Sequence, residues 1–534
     1  MLQHSKVWVL LVGLLSKIFG SRAPREAIRK SRASMRPNAL ERYFYGDFYD
    51  GASTTDATKE QFDGACPGSA NAHANPEVRS LIKDRARFEV ANSSYLRGMA
   101  RTSANDVIGT RPRLQITDNR LEPEEARAAE KVINQWIRDI GLGKKLRVQW
   151  NAKRHDGEGI GVMYEVDPNS PSGRMFRNPI KWDYRLFDCD RLSDITGEYS
   201  TDKDYEDGVR KDAYGNPIEY RLLRSNPHDL STFAENAIEA SIVPANRMFH
   251  LFSQDRPEQD RGVSEIQSGI VDSRTIRQYV RSVTKAMRNA ASAGGILYTG
   301  LDPVLEQAYD EKGNPIFDAN GEPVKDQQRC TPGETFNLDP DTITCAPDGY
   351  ELKQMDSKQP GTNHKDFMEC VIGSIGRATC LPKNKALGTS EGSNFASGQL
   401  DHQDWKHCID VDRFDLETEV LDPVLDIVFP AAVRIEGLLP QAVRDLVGPD
   451  DHPQTPEHVW HWDESRGALD PRKAANAITE NFRNGTDNLA AAVSRQGKVL
   501  SQHLQEGADA LGMNVEDYQK CIRGYLWPDR QPSA

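Results

Sequence analysis

The sequence predicts an α+β fold in a chain that is long enough for several domains. Apolar residues recur at helical spacing from residue 76, and again in long stretches after residue 264. Between residues 156 and 253, short runs rich in β-branched and aromatic residues alternate with turn signals such as "DAYGNP". By the usual domain size, 534 residues correspond to roughly three or four domains.

The composition is that of a globular protein, with 37% hydrophobic residues, 28% charged residues and a formal net charge of −13. This acidic balance argues against a protein that coats nucleic acid over its whole surface, but it allows a local basic site. The eight cysteines form no CxxC pair and no zinc-ligand spacing. We therefore expect reduced thiols in a cytoplasmic protein.

Residues 1–75 predict an N-terminal arm. The apolar run from Val7 to Leu15 follows a lysine, as in a signal peptide, but no small-residue cleavage site follows it cleanly and the next segment is strongly basic. The run is also too short to span a bilayer. We expect an amphipathic or dispensable segment and then an extended lead-in.

Residues 76–263 predict strands covered by helices. Asn75 caps the first helix and Pro76 lies in its first turn, while "EPEEARAAEKVINQWIRDIGLG" has acids at its start and glycines at its end. The glycines of "DGEGIGVM" predict a turn into a strand, because no P-loop lysine follows them. Such strands need a covering layer, which the helices can supply.

The second half of the chain predicts two helices, 264–292 and 364–381, on either side of a small β-containing insert, 293–363. Two helices of opposite direction would project the insert away from the body. A polar loop with glycines, 382–393, leads into a helix over about 394–429, which Pro423 is expected to kink or break. From residue 470 onward the chain is mostly helical and polar.

The first of these two helices carries a row of cations, here called the cationic stripe. Spacings of 3, 4, 4 and 3 place its members within an arc of roughly 80° on one helix face. Ile276, Val280, Val283 and Met287 fall on the other side. The members of the cationic stripe are Arg274, Arg277, Arg281, Lys285 and Arg288.

Several motifs, in order along about residues 80–500, resemble those of the lambda-type bacteriophage portal proteins. "YLRGMARTSANDVIGTRPRLQ" is similar to the helix-to-strand segment of that family, and "DAYGNPIEYRLL" to its hairpin. "FDCDRLS" resembles a strand end of the family, with Cys189 where proline is common. The strongest likeness is in "VPANRMFHLFSQDRPEQDRGVSEIQSGI".

The resemblance implies a non-enzymatic portal, or connector, that forms a ring of typically twelve subunits at one vertex of the viral capsid. Double-stranded DNA would enter through its channel during packaging and leave during ejection. The implied partners are the terminase motor, the major capsid or scaffold protein, and head-completion or tail proteins, first in the host cytoplasm and then in the virion. The implied parts are an N-terminal arm (1–75), an α/β wing (76–263), stem helices (264–292 and 364–381), a clip (293–363), a tunnel loop (382–393), a wing helix with return strands (394–469) and a helical crown (470–534).

In such a ring the cationic stripe becomes a candidate for DNA contact. The stripe could face the channel, or an outward surface or neighbouring subunit, or be an ordinary solvated face. Lys383 and Lys385 in the tunnel loop are further candidates, since nearby glycines would let the loop move, although they could be ordinary loop lysines. No Walker motif is present, so the motor would be a partner.

Two other interpretations stay open. A metal-dependent DNA-processing nuclease could use Asp188 and Asp190, or the aspartates at 410, 412 and 415, as magnesium ligands. A tail or baseplate protein would have no DNA contact. His458 and His461 would share a face if they were helical, but with His452 they lack an obvious fourth ligand for zinc. We expect no metal, no cofactor and no catalytic residue in this protein.

Overall fold

The computed structural model describes a set of segments that begins at residue 64. The chain divides into two compact units, residues 1–69 and residues 70–534, and every element below belongs to the second unit. Most of the predicted N-terminal arm, residues 1–63, lies outside the described residues, and so does His452. The described residues are 64–193, 195–196, 200–201, 205–229, 240–291, 295–299, 305–308, 310, 312–327, 350–354, 364–392, 394–448, 454–462, 471–495 and 500–526.

Helices and strands are mixed along the chain, which confirms the predicted α+β class. The helices are α1 (Ala70–His73), α2 (Pro76–Asn92), α3 (Ser94–Ile108), α4 (Pro123–Asp139), α5 (Leu142–Asp156), α6 (Pro171–Met175), α7 (Ile270–Ala291), α8 (His364–Arg377), α9 (Lys383–Leu387), α10 (Phe395–Leu416), α11 (Asp422–Val433), α12 (Gln441–Val447), α13 (Pro471–Asn484), α14 (Leu489–Arg495), α15 (Leu500–Leu511) and α16 (Val515–Leu526). None of these helices is both long and apolar enough to cross a membrane.

The strands are short and pair only in antiparallel fashion in the described ranges. Their sheets are β3-β2-β9, β6-β7-β8, β1-β14, β4-β5, β10-β13 and β11-β12. The strands are β1 (Arg113–Ile116), β2 (Glu158–Glu165), β3 (Trp182–Phe187), β4 (Ile195–Thr196), β5 (Ser200–Thr201), β6 (Val209–Lys211), β7 (Pro217–Leu223), β8 (Ala240–Pro244), β9 (Met248–Phe252), β10 (Gly295–Thr299), β11 (Leu305–Gln307), β12 (Lys325–Gln327), β13 (Tyr350–Gln354) and β14 (His458–His461).

The central strand β2 is buried because α5 packs on the sheet that it forms with β3 and β9. Gln149 of α5 donates to the carbonyl oxygens of Gly159 and Phe249, each at 3.2 Å, and accepts a 2.6 Å bond from the Tyr184 hydroxyl. A side chain on Gly161 would collide with the Tyr184 ring, so only glycine fits there. The predicted turn into a strand is confirmed: Gly157 ends α5 in the left-handed region and β2 follows.

The main core lies among α3, α4, α5, α10 and α11. Three tryptophans are almost completely buried in it, and each indole N–H has an acceptor, as burial requires. Trp136 donates to the Trp182 carbonyl at 2.9 Å, Trp150 to the Ser103 hydroxyl at 3.1 Å and Trp405 to Asp106 at 3.0 Å. These bonds fix the orientation of the helices that carry the rings.

The disruption expected at Pro423 takes the form of a π-helical turn. Helix α10 ends at Leu416, residues Glu417–Leu421 form the π turn, and Pro423 then lies in the first turn of α11. Because Pro423 has no N–H, it cannot donate to a carbonyl of the preceding turn, and the regular α-helical pattern is interrupted just before it. Pro430, inside α11, also lies in a regular helix.

Candidate nucleic-acid interface

Helices α7 and α8 form an antiparallel pair. Near the start of α7, a Cβ on Gly269 would lie 3.1 Å from Ile375, close to the end of α8. Further along, the Tyr279 ring stacks on His364, the first residue of α8, with 5.3 Å between ring centroids. The order of contacts is thus reversed along the two helices. Helix α7 is shorter than predicted at its start, where a 3₁₀ turn, Gln267–Gly269, precedes it, and α8 ends at Arg377.

The insert between these helices is closed at its base by a strand pair. Strands β10 and β13 run antiparallel, with Gly295 opposite Gln354 and Thr299 opposite Tyr350. Strands β11 and β12 form a second pair within it. The predicted β-containing insert is therefore present in the residues that the structure describes between α7 and α8.

One member of the cationic stripe, Arg277, is tied to the body of the protein. Its guanidinium donates to the buried carboxylate of Glu89 on α2 and lies over the Phe88 ring, 5.1 Å from the centroid. Ser273 donates to the other oxygen of Glu89 at 3.2 Å. Glu89 therefore joins α2 to α7, and Arg277 neutralises its buried charge. This residue is a packing contact and not a free cation.

The other four members of the cationic stripe are exposed and form no ion pair with any residue that the structure describes. Arg281, Lys285 and Arg288 lie beyond Tyr279, past the last ring contact between α7 and α8. From Arg274 to Arg288 the helix rises about 21 Å, along which a DNA duplex carries roughly twelve phosphates. The exposed face of α7 is thus a cationic surface as long as a stretch of duplex that carries roughly twelve phosphates.

The two lysines predicted in the tunnel loop are both ion-paired. Residues Lys383–Leu387 form the short helix α9, so the first half of the predicted loop is helical. Lys385 lies 2.8 Å from the buried carboxylate of Asp106, the acceptor of the Trp405 indole. Lys383 lies 2.9 Å from Glu369, whose pKa it lowers. Because Lys385 is held in the core, it is not a mobile contact in this conformation.

The aspartates considered for a nuclease surround an arginine. The Arg87 guanidinium lies 2.7 Å from Asp156, 2.9 Å from Asp188 and 2.7 Å from Asp190, and Lys83 also pairs with Asp190. Burial opposes the charge of Asp190, but Lys83 and Arg87 outweigh it and lower the pKa of this carboxyl. Asp156, Asp188 and Cys189 are close enough to share an ion, yet Arg87 supplies the positive charge there. The nuclease interpretation gains no support.

The second group of aspartates and the histidines do not form metal sites either, among the residues that the structure describes. Asp410 is exposed and lies 3.5 Å from Lys406, while Asp412 turns inward to Arg154. His458 and His461 lie on strand β14, where residues three apart point to opposite faces. The helix assumed for these histidines is therefore wrong, and they bind different partners, Asp422 and Gln115.

Sequence reasoning missed a group of buried charges, here called the charged joint, between the sheet and the start of α7. Arg261 binds both oxygens of Glu158, at 2.5 and 2.7 Å, and His250 lies 3.1 Å from the same carboxylate. Burial opposes ionisation of Glu158, but Arg261 outweighs it and holds its pKa well below the usual range. The sequence contained one signal of this group: Glu158 begins a strand whose next residues are mostly apolar, so its carboxylate was to be expected in a buried position with a partner. The members of the charged joint are Glu158, His250, Arg261, Arg154, Glu265 and Asp412.

Arg154 forms the other half of the charged joint. Its guanidinium donates to the carbonyl of Thr379, just after α8, at 3.0 Å and lies 3.4 Å from Glu265, just before α7. It also lies 3.5 Å from Asp412 on α10 and 5.2 Å from the centre of the Trp150 ring. One buried side chain on α5 therefore contacts the segments at the base of both helices of the pair. The described residues define an α+β protein that contains an antiparallel helix pair, α7–α8.

The comparison with family models identifies this class. The family described as phage portal protein, lambda family, matches residues 59–410, which is more than half of the chain. The chain therefore belongs to the lambda family of phage portal proteins, and the predicted resemblance is confirmed. The motif "NRMFHLFSQDRPEQDRGVSE" contains three of the six members of the charged joint, His250, Arg261 and Glu265, which gives a physical reason for these residues.

Solved structures give a weaker comparison, with 12% identity in each case. A chain from the neck of an empty gene transfer agent particle, computed with C6 symmetry, has a TM-score of 0.38 and covers 78% of this chain and 92% of that chain. A chain from the virion of a native gene transfer agent particle has a TM-score of 0.35 with the same coverage. A chain from the neck of a native gene transfer agent particle, computed with C12 symmetry, has a TM-score of 0.34 and covers 77% of this chain and 91% of that chain. TM-scores this low carry no argument about function. Comparison with curated proteins gives no match.

Proposed function

We propose that this protein is the subunit of a portal ring, the head-to-tail connector at one capsid vertex, through which double-stranded DNA is packaged and ejected. Membership of the lambda family supports this function. The antiparallel pair α7–α8, with strands β10 and β13 between its members, supports a stem that carries a clip. In the proposed assembly, residues 76–263 and 394–469 form the wing, 264–292 and 364–381 the stem, 293–363 the clip, 382–393 the tunnel loop and 470–534 the crown.

The observation that carries the DNA part of the proposal is the set of four exposed cations along α7 that form no ion pair with a described residue. In a ring of about twelve subunits, Arg274, Arg281, Lys285 and Arg288 would supply about 48 positive charges to one band of the stem. Phosphate contacts that were too strong would hold DNA and stop it from sliding. The net charge of −13 per subunit fits a channel wall that is otherwise neutral or acidic, which favours weak and exchangeable contacts.

The partners follow from the proposed position in the particle. The clip lies along the chain between the two stem helices, and we propose that the terminase motor docks there during packaging. Head-completion or tail proteins would take the same place afterwards. The major capsid or scaffold protein would surround the ring, which assembles in the host cytoplasm and ends in the virion.

The direct test is the size and shape of the purified full-length chain. Light scattering and end-on views by negative-stain microscopy should show closed rings with a central hole, either of the chain alone or after addition of capsid or scaffold protein. A ring buries subunit faces, so its thermal stability should rise with protein concentration. A monomer at every concentration, with and without those partners, would contradict the proposal.

A further inference from the structure

A cavity lies where the base of the helix pair meets helices α2, α3 and α5. It has a volume of about 310 Å³, some of which is open to solvent. Its walls are mostly apolar and include Leu96 and Met99 of α3 and Ile375 of α8. The polar side chains on its walls are Ser103, Arg154, His155 and Thr379.

Two buried nitrogen atoms on these walls have no hydrogen-bond partner among the described residues. They are Nε of Arg154 and Nε2 of His155, at the end of α5. Only 5% of Arg154 is exposed, and its Nε lies 3.4 Å from Glu265 without forming a hydrogen bond to it. Buried polar atoms in native proteins are satisfied by protein groups or by ordered water, because leaving them without a partner costs stability.

The other two polar side chains of the cavity already have partners. The Ser103 hydroxyl accepts from the indole of Trp150 at 3.1 Å. The Thr379 hydroxyl donates to the carbonyl of Gly376 at 3.2 Å, and the Thr379 carbonyl accepts from the other end of the Arg154 guanidinium at 3.0 Å. A molecule in the cavity would therefore find its hydrogen bonds at Arg154 and His155.

The charges around the cavity favour a neutral occupant. Arg154 lies 3.4 Å from Glu265 and 3.5 Å from Asp412, and Lys153 lies 3.5 Å from Glu265, so two cations balance two acids. An added anion would meet the carboxylates, and an added cation would meet Lys153 and Arg154. Burial lowers the pKa of His155, which keeps its imidazole neutral at pH 7.

We propose that this cavity is the binding site of one ordered water molecule, which accepts a hydrogen bond from Nε–H of Arg154 and donates one to Nε2 of His155. The two nitrogens are complementary partners for water, because a guanidinium nitrogen only donates and the unprotonated nitrogen of a neutral imidazole accepts. The proton of His155 is then on Nδ1. Internal waters typically lie in such sites, where the cavity offers two or more polar partners. This inference does not depend on the proposed portal function.

The water would connect His155 to the base of both helices of the pair. Arg154 contacts Thr379, just after α8, and Glu265, just before α7. The water would hold this guanidinium from its Nε side and so limit its rotation. It would therefore act as a further member of the charged joint, supplied by solvent and not by the chain.

A structure of the full-length protein at a resolution that shows ordered waters tests the proposal. We expect one peak of density within about 3.2 Å of both Arg154 Nε and His155 Nε2. In His155→Leu, which removes the acceptor, the peak should be lost. In His155→Gln, whose side-chain oxygen can accept in place of Nε2, it should remain. His407→Leu, which changes an exposed histidine on α10, should leave the peak unchanged.

Three results would overturn the proposal. One is a parent structure in which both nitrogens are bonded directly to protein atoms and no water lies between them. Another is a molecule larger than water in the cavity. The third is a water that keeps its position in His155→Leu, since the imidazole would then not hold it. Circular dichroism shows whether each variant is folded, and if His155→Leu does not fold, the parent structure and His155→Gln still decide.

Discussion

Positively charged side chains near the base of helix α7 are buried and paired with acids, whereas those on its second half are exposed. Near its base, Arg261, Arg154 and Glu158 are buried in the charged joint, and Arg277 neutralises Glu89 further along the helix. In its second half, Arg281, Lys285 and Arg288 are exposed and have no described acidic partner. A regular row of cations in a sequence therefore does not define one surface, because the neighbouring elements decide which members remain available.

The largest loss of unfolding free energy is expected from Arg261→Met. This change leaves the Glu158 carboxylate buried without its main partner, and loss of one member of a buried ion pair costs about 3–5 kcal/mol of unfolding free energy. Chemical denaturation at one fixed protein concentration measures the loss. Arg281→Met is the matched control at the exposed end and should stay within about 0.5 kcal/mol of the parent protein. Equal losses in both variants would remove the distinction between the two ends.

A smaller effect on stability is expected from Arg277→Ala, which tests whether this member of the cationic stripe is tied to the body of the protein. The buried Glu89 carboxylate would keep Ser273 but lose its charged partner, at a cost of about 1–3 kcal/mol. The double variant Glu89→Gln/Arg277→Ala should recover part of that loss, because no buried charge remains. Arg274→Ala, an exposed neighbour on the same helix, is the control. A loss as large in Arg274→Ala would show that the two positions do not differ.

The charged joint should also give a pH dependence through Asp412. Burial raises the pKa of this carboxyl to about 6, so between about pH 4 and 6 the folded state binds a proton more tightly than the unfolded state. Its contribution to stability is therefore full below about pH 4 and is lost as the pH rises through 6. The difference in unfolding free energy between the parent protein and Asp412→Asn should shift by about 1–2 kcal/mol over that range. Asp410→Asn, on the exposed face, is the control: its difference in unfolding free energy from the parent protein should not change with pH. If the difference for Asp412→Asn did not change with pH either, the effect of burial on Asp412 would be contradicted.

The smallest effect on stability, and the most direct test of the cationic surface, is expected from the triple variant Arg281→Gln, Lys285→Gln and Arg288→Gln. Rings should form normally and unfolding free energy should change by less than about 0.5 kcal/mol per site. Packaging efficiency should change, and duplex binding by the ring should depend less steeply on salt, because fewer counterions are released. Replacing both arginines with lysine keeps the charge and should restore the salt dependence. Unchanged packaging and DNA retention would show that these cations do not touch DNA, and a failure of ring formation would assign them to a subunit contact.

The sequence predicted the helices and strands better than the contacts between them. Helical spacing and turn signals were enough to place the helix pair and the strands of the insert, since these depend on nearby residues. The pairing of Lys385 with Asp106 joins positions 279 residues apart, so no local pattern could distinguish it from an ordinary loop lysine. For the same reason Arg277, alike in sequence to Arg281, could not be separated from the rest of the stripe.

The histidines illustrate a different kind of error. The shared face considered for His458 and His461 depended on helical spacing, but the segment pairs with β1, a strand more than 340 residues earlier, and becomes a strand itself. The charged joint was missed because its members are spread between residues 154 and 412 and meet only in the folded protein. The motif that resembles the portal family contained several of them, yet resemblance alone does not say which residue binds which.

The strand pair β10–β13 has a consequence for how such proteins diverge. Because Gly295 faces Gln354 and Thr299 faces Tyr350, the two ends of the intervening segment are held side by side by this strand pair. A change in the length or sequence of residues 300–349 would leave that pairing in place. If the insert is the docking site of the proposed portal, its sequence can change with the partner while the strand pair that holds its ends is kept.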